Sequence, residues 1–228
     1  MLKLNENVKF KRLPDHFKHH LIILVDRDDK WNMFLFNVLI LDILLLFLLI
    51  ANGIKPFTLI ALPFFLIINC WMILIFFKNM SIYKNNLEFV IYKGSSFIAM
   101  SCCWCILALK MYYAALGLNV LFFITATVVL AASIIGSFHY YLVKFSNTKK
   151  NNRSISSWSV YLLTAGSAFG YMISQFTLHF SESVIHIFMS IVSLLAASLF
   201  ALIGTKFIHQ FLFIKYNQEF INKIGKDR

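Results

Sequence analysis

The chain has 228 residues, of which 60% are hydrophobic and 14% are charged, and its formal net charge is +11. Soluble domains are about half apolar and about a quarter charged, and a chain of this length still exposes much of its surface. The composition therefore excludes a soluble globular protein. The apolar runs are continuous rather than weakly alternating as in a membrane barrel, so we predict an all-α, polytopic membrane protein.

The first thirty residues are polar and mixed in charge, and they lack the short apolar core of a cleavable signal peptide. We therefore expect residues 1–30 to form a cytoplasmic N-terminal segment and the first span to act as the insertion signal. The part nearest that span, "LPDHFKHHLIILVDRDDK", mixes apolar and charged residues. This pattern fits either a short helix lying in the inner interface or a partly ordered tail.

Six apolar runs are long enough to be transmembrane helices, which need about 20 mainly apolar residues to cross a hydrocarbon core of ~30 Å. They predict a bundle of about six transmembrane helices over residues 31–207, followed by a basic cytoplasmic tail at 208–228. The runs are Trp31–Ala51, Phe57–Phe77, Ser95–Ala115, Leu118–Val143, Trp158–Leu178 and Val184–Phe207.

The basic residues predict how the bundle is oriented. With the N-terminus inside, all 21 Lys and Arg residues except Lys55 and Lys110 fall in segments that face the cytoplasm, as the positive-inside rule requires. We therefore expect a multi-pass protein of the cell membrane with both termini in the cytoplasm. An anionic inner leaflet then accounts for the positive charge, and no nucleic-acid-binding motif accompanies it.

The stretch "LILDILLL" places one carboxylate, Asp42, near the middle of the first predicted span. An ionised carboxylate at that depth costs about 2.5–3.5 kcal/mol on insertion scales, so Asp42 should face other helices or a wet cavity and be paired or protonated. The best-placed basic residue is Lys110 of the third span, although Lys110 can also extend to the outer interface. Asp42 and Lys110 are thus candidates for a substrate or ion path. A structural contact between helices is the alternative interpretation of Asp42.

The cysteines lie inside predicted spans rather than in polar loops, which argues against a disulfide scaffold. Cys102 and Cys105 have the spacing of a dithiol redox pair, but no second cysteine pair is present to relay electrons. We interpret them, with Ser95 and Ala99, as a stripe of small residues for helix packing.

Small residues also recur at helical spacing in the last two predicted spans. Such stripes let helices approach closely, and a short turn joins the two spans, so we predict a tightly packed terminal hairpin. The stripes are Gly166, Gly170 and Ser174 in the fifth span, and Ser190, Ser193, Ala197, Ala201 and Gly204 in the sixth.

Motifs for catalysis or metal binding are missing from the sequence. It has no His-Glu-x-x-His zinc motif, no nucleophile elbow and no phosphate-binding glycine loop. His179, Glu182 and His186 match no standard metal motif and surround a predicted turn. We therefore expect no enzyme, no cofactor and no metal site.

The predicted layout resembles the six-span permeases of bacterial ABC exporters, including those for peptides and lantibiotics. This resemblance is one of topology over the whole chain, and it implies a permease-like subunit with a cytoplasmic ATPase as its partner. Abundant Phe, Ile, Lys and Asn are typical of an AT-rich genome, which favours a bacterial source. Two alternatives stay open: a non-transporting protein, such as a toxin or bacteriocin immunity protein or an assembly or regulatory factor, and a stand-alone carrier that uses Asp42. A homo-oligomer is compatible with each of them.

Overall fold

The computed structural model describes residues 17, 20–21, 25–78, 83–144 and 181–218. Within these ranges the fold is all-helical, as predicted, and five helices are long and apolar enough to span a membrane. They are α1 (Arg27–Ile50), α2 (Lys55–Phe77), α3 (Tyr83–Leu116), α4 (Val120–Lys144) and α5 (Glu182–Tyr216).

One predicted span falls outside this description. The run at 158–178, with Gly166, Gly170 and Ser174, lies outside the described residues, and so do most of residues 1–30 and the residues after 218. The fifth predicted span, and with it the count of six, therefore stays a prediction.

Helix α1 contains a long π-helical stretch. The helix begins at a capping box, in which the Asp26 side chain caps the backbone and the Asp29 carboxylate accepts a hydrogen bond from the Asp26 N–H at 3.3 Å, so that free N–H groups of the first turn are satisfied. The backbone is π-helical over the nine residues Asn37–Leu45 and α-helical again from Leu46. π-helices are rare and are often found at functional sites. Asp42 lies inside this stretch.

Helices α1, α2 and α3 bury a shared apolar core. Leu41, Leu45 and Leu49 of α1 are fully buried there, together with Ala61 of α2 and Leu107 of α3. Large apolar side chains on the outer faces are exposed instead, among them Phe47, Leu59, Phe77 and Leu121. An apolar exterior of this extent is compatible with an integral membrane protein, in which lipid tails surround the helices.

Helices α3 and α5 run antiparallel and meet along small residues spaced seven apart on each helix. The Ser101 hydroxyl donates to the Ala197 carbonyl oxygen at 2.5 Å, and the Ser190 hydroxyl donates to the Ala108 carbonyl oxygen at 2.8 Å. A seven-residue repeat keeps the contacts on one seam of two long helices, and small side chains let the backbones approach. We call this contact the α3–α5 seam; its opposed pairs are Gly94 and Gly204, Ser101 and Ala197, and Ala108 and Ser190.

The small-residue stripe of α5 faces α3 in the part of the chain that the structure describes. The predicted packing of this stripe against the run at 158–178 stays a prediction, because that run lies outside the described residues. Ser193, Ala197 and Ala201 are buried, and the described helix that meets them is α3. The reason lies in α3, because its small residues have the same seven-residue spacing and so complement α5 over several turns.

The two ends of the bundle differ in charge and in helix length. We call the end that carries Lys30, Lys78 and Lys215 the basic end, and the end that carries Lys55 and Lys110 the opposite end. Helices α3 and α5 have 34 and 35 residues, or about 50 Å each at 1.5 Å per residue, against a hydrocarbon core of ~30 Å. Both continue past the predicted spans at the basic end, over residues 83–94 and 208–216, so the predicted tail begins as helix.

Candidate functional site

A polar pair connects α1 and α2 inside the bundle. The Asn69 side-chain amide donates a hydrogen bond to Asp42 Oδ1, with an N···O distance of 2.7 Å. Both side chains are half-buried, and each lies about two turns or more from the nearer end of its helix. Asn69 was missed by the sequence analysis, although it is the single amide residue of α2 and a polar group in an apolar span is itself a signal.

Lys110 is bound to the end of α1 rather than to Asp42. Its side chain is fully buried, and its ammonium group donates to the carbonyl oxygens of Leu48 at 3.1 Å, Leu49 at 2.7 Å and Ala51. The last carbonyls of a helix have no intrahelical donor and carry the negative end of the helix dipole. Lys110 therefore acts as a C-terminal cap, in which three acceptors hold its charge.

The structure thus does not bring the two predicted path residues together. Asp42 is bonded to α2 in the middle of the bundle, and Lys110 is bonded to α1 at the opposite end. The role of these two residues in a substrate or ion path stays a prediction. The Lys110 side chain also does not extend outward, because it is fully buried under the helix end that it caps.

A second polar cluster, at Asn37, lies one turn before Asp42 on the side of the basic end. The Asn37 amide nitrogen donates to the Tyr92 hydroxyl oxygen, and its carbonyl oxygen accepts a hydrogen bond from the Ser96 hydroxyl at 2.7 Å. The sulfur of Met72 lies 3.8 Å from the same amide nitrogen. All three polar side chains are buried, so this cluster fixes α1 against α3 through groups that satisfy one another.

A cleft with a cavity volume of about 10 Å³ lies beside this cluster towards the basic end. Lys30 at its edge donates to the carbonyl oxygens of Phe76 at 2.9 Å and Lys78 at 2.7 Å, and so caps the C-terminus of α2. This volume has room for about one water molecule, whereas ligand pockets usually measure about 300–1,000 Å³, so the cleft is not a ligand pocket. Its lining is mainly apolar: Lys30, Met33, Phe34, Met72, Ile75, Phe76, Phe89 and Tyr92.

The described residues of the N-terminal segment pack against the last turns of α5. Phe17 is fully buried, and its ring centroid lies 5.9 Å from that of Phe213. His20 Nε2 lies 3.2 Å from His209 Nδ1, and the Gln210 side chain donates to the His20 carbonyl oxygen at 3.2 Å. This part of the segment is therefore bound to the basic end of the bundle, and its position relative to a membrane interface stays a prediction.

Neither a disulfide nor a metal-holding group of side chains is found in the part of the chain that is described. The cysteines are free, and Cys105 is buried against Ala126 of α4 and Ala197 of α5. No group of three side chains able to hold a metal lies within the described ranges. Glu182 and His186 belong to the first turns of α5, and His179 lies outside those ranges.

Comparisons with known proteins give no family for the chain. No protein-family model matches it, and neither the curated proteins nor the solved structures contain a significant match. The functional interpretation therefore depends on the geometry of the helices and of their polar side chains.

Proposed function

We propose that the chain is the membrane subunit of an exporter that is driven by a separate ATPase, with six spans and both termini in the cytoplasm. The observation that supports this proposal is the extension of α3 and α5 at the basic end. Residues 83–94 of α3 extend by about 18 Å at 1.5 Å per residue. A rigid helical extension of this length can connect the membrane-embedded helices to a partner outside the membrane.

The extended parts of α3 and α5 are packed closely against each other. Gly94 and Gly204 meet at its base, where a Cβ on Gly204 would lie 3.0 Å from the Gly94 carbonyl oxygen. Further out, the Lys93 ammonium lies 4.8 Å from the centroid of Phe89 and 5.7 Å from that of Phe207, so one cation contacts an aromatic ring on each helix. Movement at the tip is therefore transmitted to the seam inside the bundle.

The tip of this extension carries the connection between α2 and α3, which is where a cytoplasmic partner would dock. Lys78 at the end of α2 forms an ion pair of 2.5 Å with Glu88 of α3. This pair ties α2 to the extension close to the tip. The ion pair thus fixes the end of α2 against α3 at the end of the bundle where an ATPase would dock. The described connections at the opposite end are short, Ala51 to Ile54 between α1 and α2 and Gly117 to Asn119 between α3 and α4.

Site-specific crosslinking tests the proposal. A photo-crosslinking amino acid in place of Tyr83, at the start of α3, should capture an ATP-binding protein in native membranes, identified by mass spectrometry. The same amino acid in place of Leu118, at the opposite end, is the matched control and should capture none. If position 83 captures no ATP-binding protein, or if both positions capture the same set, the proposal fails.

A stand-alone carrier is the second candidate, because Asp42 and Asn69 place a half-buried polar pair deep in the bundle. A carrier that moves its substrate with protons through Asp42 loses transport in Asp42→Asn and needs no ATP. An ATPase-driven exporter requires ATP hydrolysis for transport. Protection against a toxin without either requirement would instead favour the immunity function.

A further inference from the structure

Asp42 has no basic partner among the residues that the structure describes. Its hydrogen bond comes from the neutral amide of Asn69. Lys110 is engaged by carbonyl oxygens at the end of α1, and Lys30 is engaged in the same way at the end of α2. An ionised carboxylate inside a span needs a counter-ion, several donors or water. A single hydrogen bond from the Asn69 amide N–H is not enough to stabilise an ionised carboxylate there.

The side chain of Asn69 in turn lacks a hydrogen-bond donor for its carbonyl oxygen. Its Oδ1 atom is buried and has no hydrogen-bond donor, although its nitrogen is bonded to Asp42. A buried carbonyl oxygen without a donor loses its hydrogen bonds to water and gains none in return, so it destabilises the fold. The same pair therefore contains a carboxyl group with too few donors and an amide oxygen that needs one.

A single proton satisfies both groups. A protonated carboxyl has one O–H donor and keeps an acceptor oxygen, and a side-chain amide has the same donor and acceptor arrangement in one plane. We propose that Asp42 and Asn69 form a proton-binding site, in which Asp42 is a neutral carboxylic acid that accepts from the Asn69 N–H and donates its O–H to Asn69 Oδ1. This inference is independent of the ATPase partner.

The surrounding groups fit a neutral acid. Helices α2 and α3 pack against α1, and the nearest ionisable hydroxyl on α3, that of Tyr92, is bonded to Asn37 rather than to Asp42. At the level of Asp42 the ionisable residues of these two helices are cysteines, of which Cys70 is exposed and Cys103 is buried. Lys93, which follows Tyr92, has its ammonium over the rings of Phe89 and Phe207 instead. None of these groups places a cation beside Asp42 that would hold a carboxylate in its charged form.

Infrared spectroscopy of the full-length protein in lipid vesicles at neutral pH tests the site. The C=O stretch of a carboxylic acid is separate from the bands of a carboxylate, so the difference spectrum between wild type and Asp42→Asn should contain a protonated-acid band. Glu88→Gln is the matched control, because it removes a carboxylate that is ion-paired with Lys78 at the surface, and it should leave that band unchanged. In Asn69→Leu the band should move to higher frequency, since the acid loses both hydrogen bonds.

Stability and a residue swap provide the second measurement. Asn at position 42 can make both hydrogen bonds of the neutral pair, so Asp42→Asn should unfold at the same denaturant concentration as the wild type. The double variant Asp42→Asn with Asn69→Asp should restore the acid band, now from α2. The proposal is overturned if the wild type has no protonated-acid band at neutral pH, if Asp42→Asn leaves such a band in place, or if the swap does not restore it.

Discussion

The close approach of Gly94 and Gly204 allows a sharp test of the α3–α5 seam. A Cβ on Gly94 would lie 3.0 Å from the backbone nitrogen of Ile208 and 3.2 Å from the carbonyl oxygen of Gly204. Because these are backbone atoms, Gly94→Ala forces α5 to move as a whole. Gly136, in the interior of α4, has no atom within 4 Å of the position of its Cβ, so Gly136→Ala is the matched control.

The size of the effect follows from comparing the two variants. Replacing Gly by Ala in a helix interior gains about 0.8–1.0 kcal/mol of helix propensity, and this gain is common to both positions. The difference in unfolding free energy therefore isolates the clash, for which overpacking gives about 1–3 kcal/mol. We expect Gly94→Ala to be less stable than Gly136→Ala by that amount, or by about 5-fold to 150-fold in the unfolding equilibrium.

The measurement is an unfolding titration of each purified variant in mixed micelles with an anionic detergent. Trp104 of α3 is a suitable fluorescent probe, because its ring stacks on Phe200 of α5 with centroids 6.3 Å apart. Equal stability of the Gly94 and Gly136 variants would refute the close approach of α3 and α5 at this point.

Three further substitutions test the polar groups and the N-terminal contact. Lys110→Met leaves the carbonyl oxygens at the end of α1 without their charged donor, so the unfolding free energy should fall by about 1.5–3 kcal/mol, whereas Lys110→Arg should keep most of it. Asn37→Leu leaves two buried hydroxyl groups of α3 without their partner, so it should lower the unfolding free energy by about 1–3 kcal/mol. Tyr92→Phe should cause a smaller decrease in the same titration. Phe17→Ala removes a buried ring that packs against the end of α5. We expect faster hydrogen exchange at residues 17–21 of the variant than of the wild type, and unchanged exchange in α1. Exchange at residues 17–21 that equals the wild-type rate would contradict the described contact.

The apolar spans could be predicted from the sequence because lipid leaves a strong signal of length and hydropathy. The predicted run Phe57–Phe77 matches α2 at Lys55–Phe77, and the run Trp31–Ala51 matches α1 closely. The ends of α3 and α5 could not be predicted in the same way. In "YKNNLEFVIYKG" the charged and amide residues end the hydropathy signal, whereas the helix continues there because it packs against a neighbour.

The candidate site was predicted only in part. Asp42 was recognisable because a carboxylate in an apolar span is exceptional. Its partner was not, since the sequence does not show which polar side chain of another helix, the Asn69 amide or the Lys110 ammonium, lies beside Asp42 in the bundle. Hydropathy also contains no information on the π-helical backbone around Asp42. The stripe on α5 was visible in the sequence, yet small residues do not specify which helix will cover them.

The central claim is that this chain works together with an ATPase at the basic end of the bundle. The most direct measurement is the mass of the intact assembly after mild extraction from native membranes into lipid nanodiscs, combined with its rate of ATP hydrolysis. We predict an assembly that contains this chain and an ATP-hydrolysing subunit, and that loses this subunit when Lys78 and Glu88 at the tip are replaced by Ala. An assembly made of this chain alone, without ATP hydrolysis, would contradict the claim.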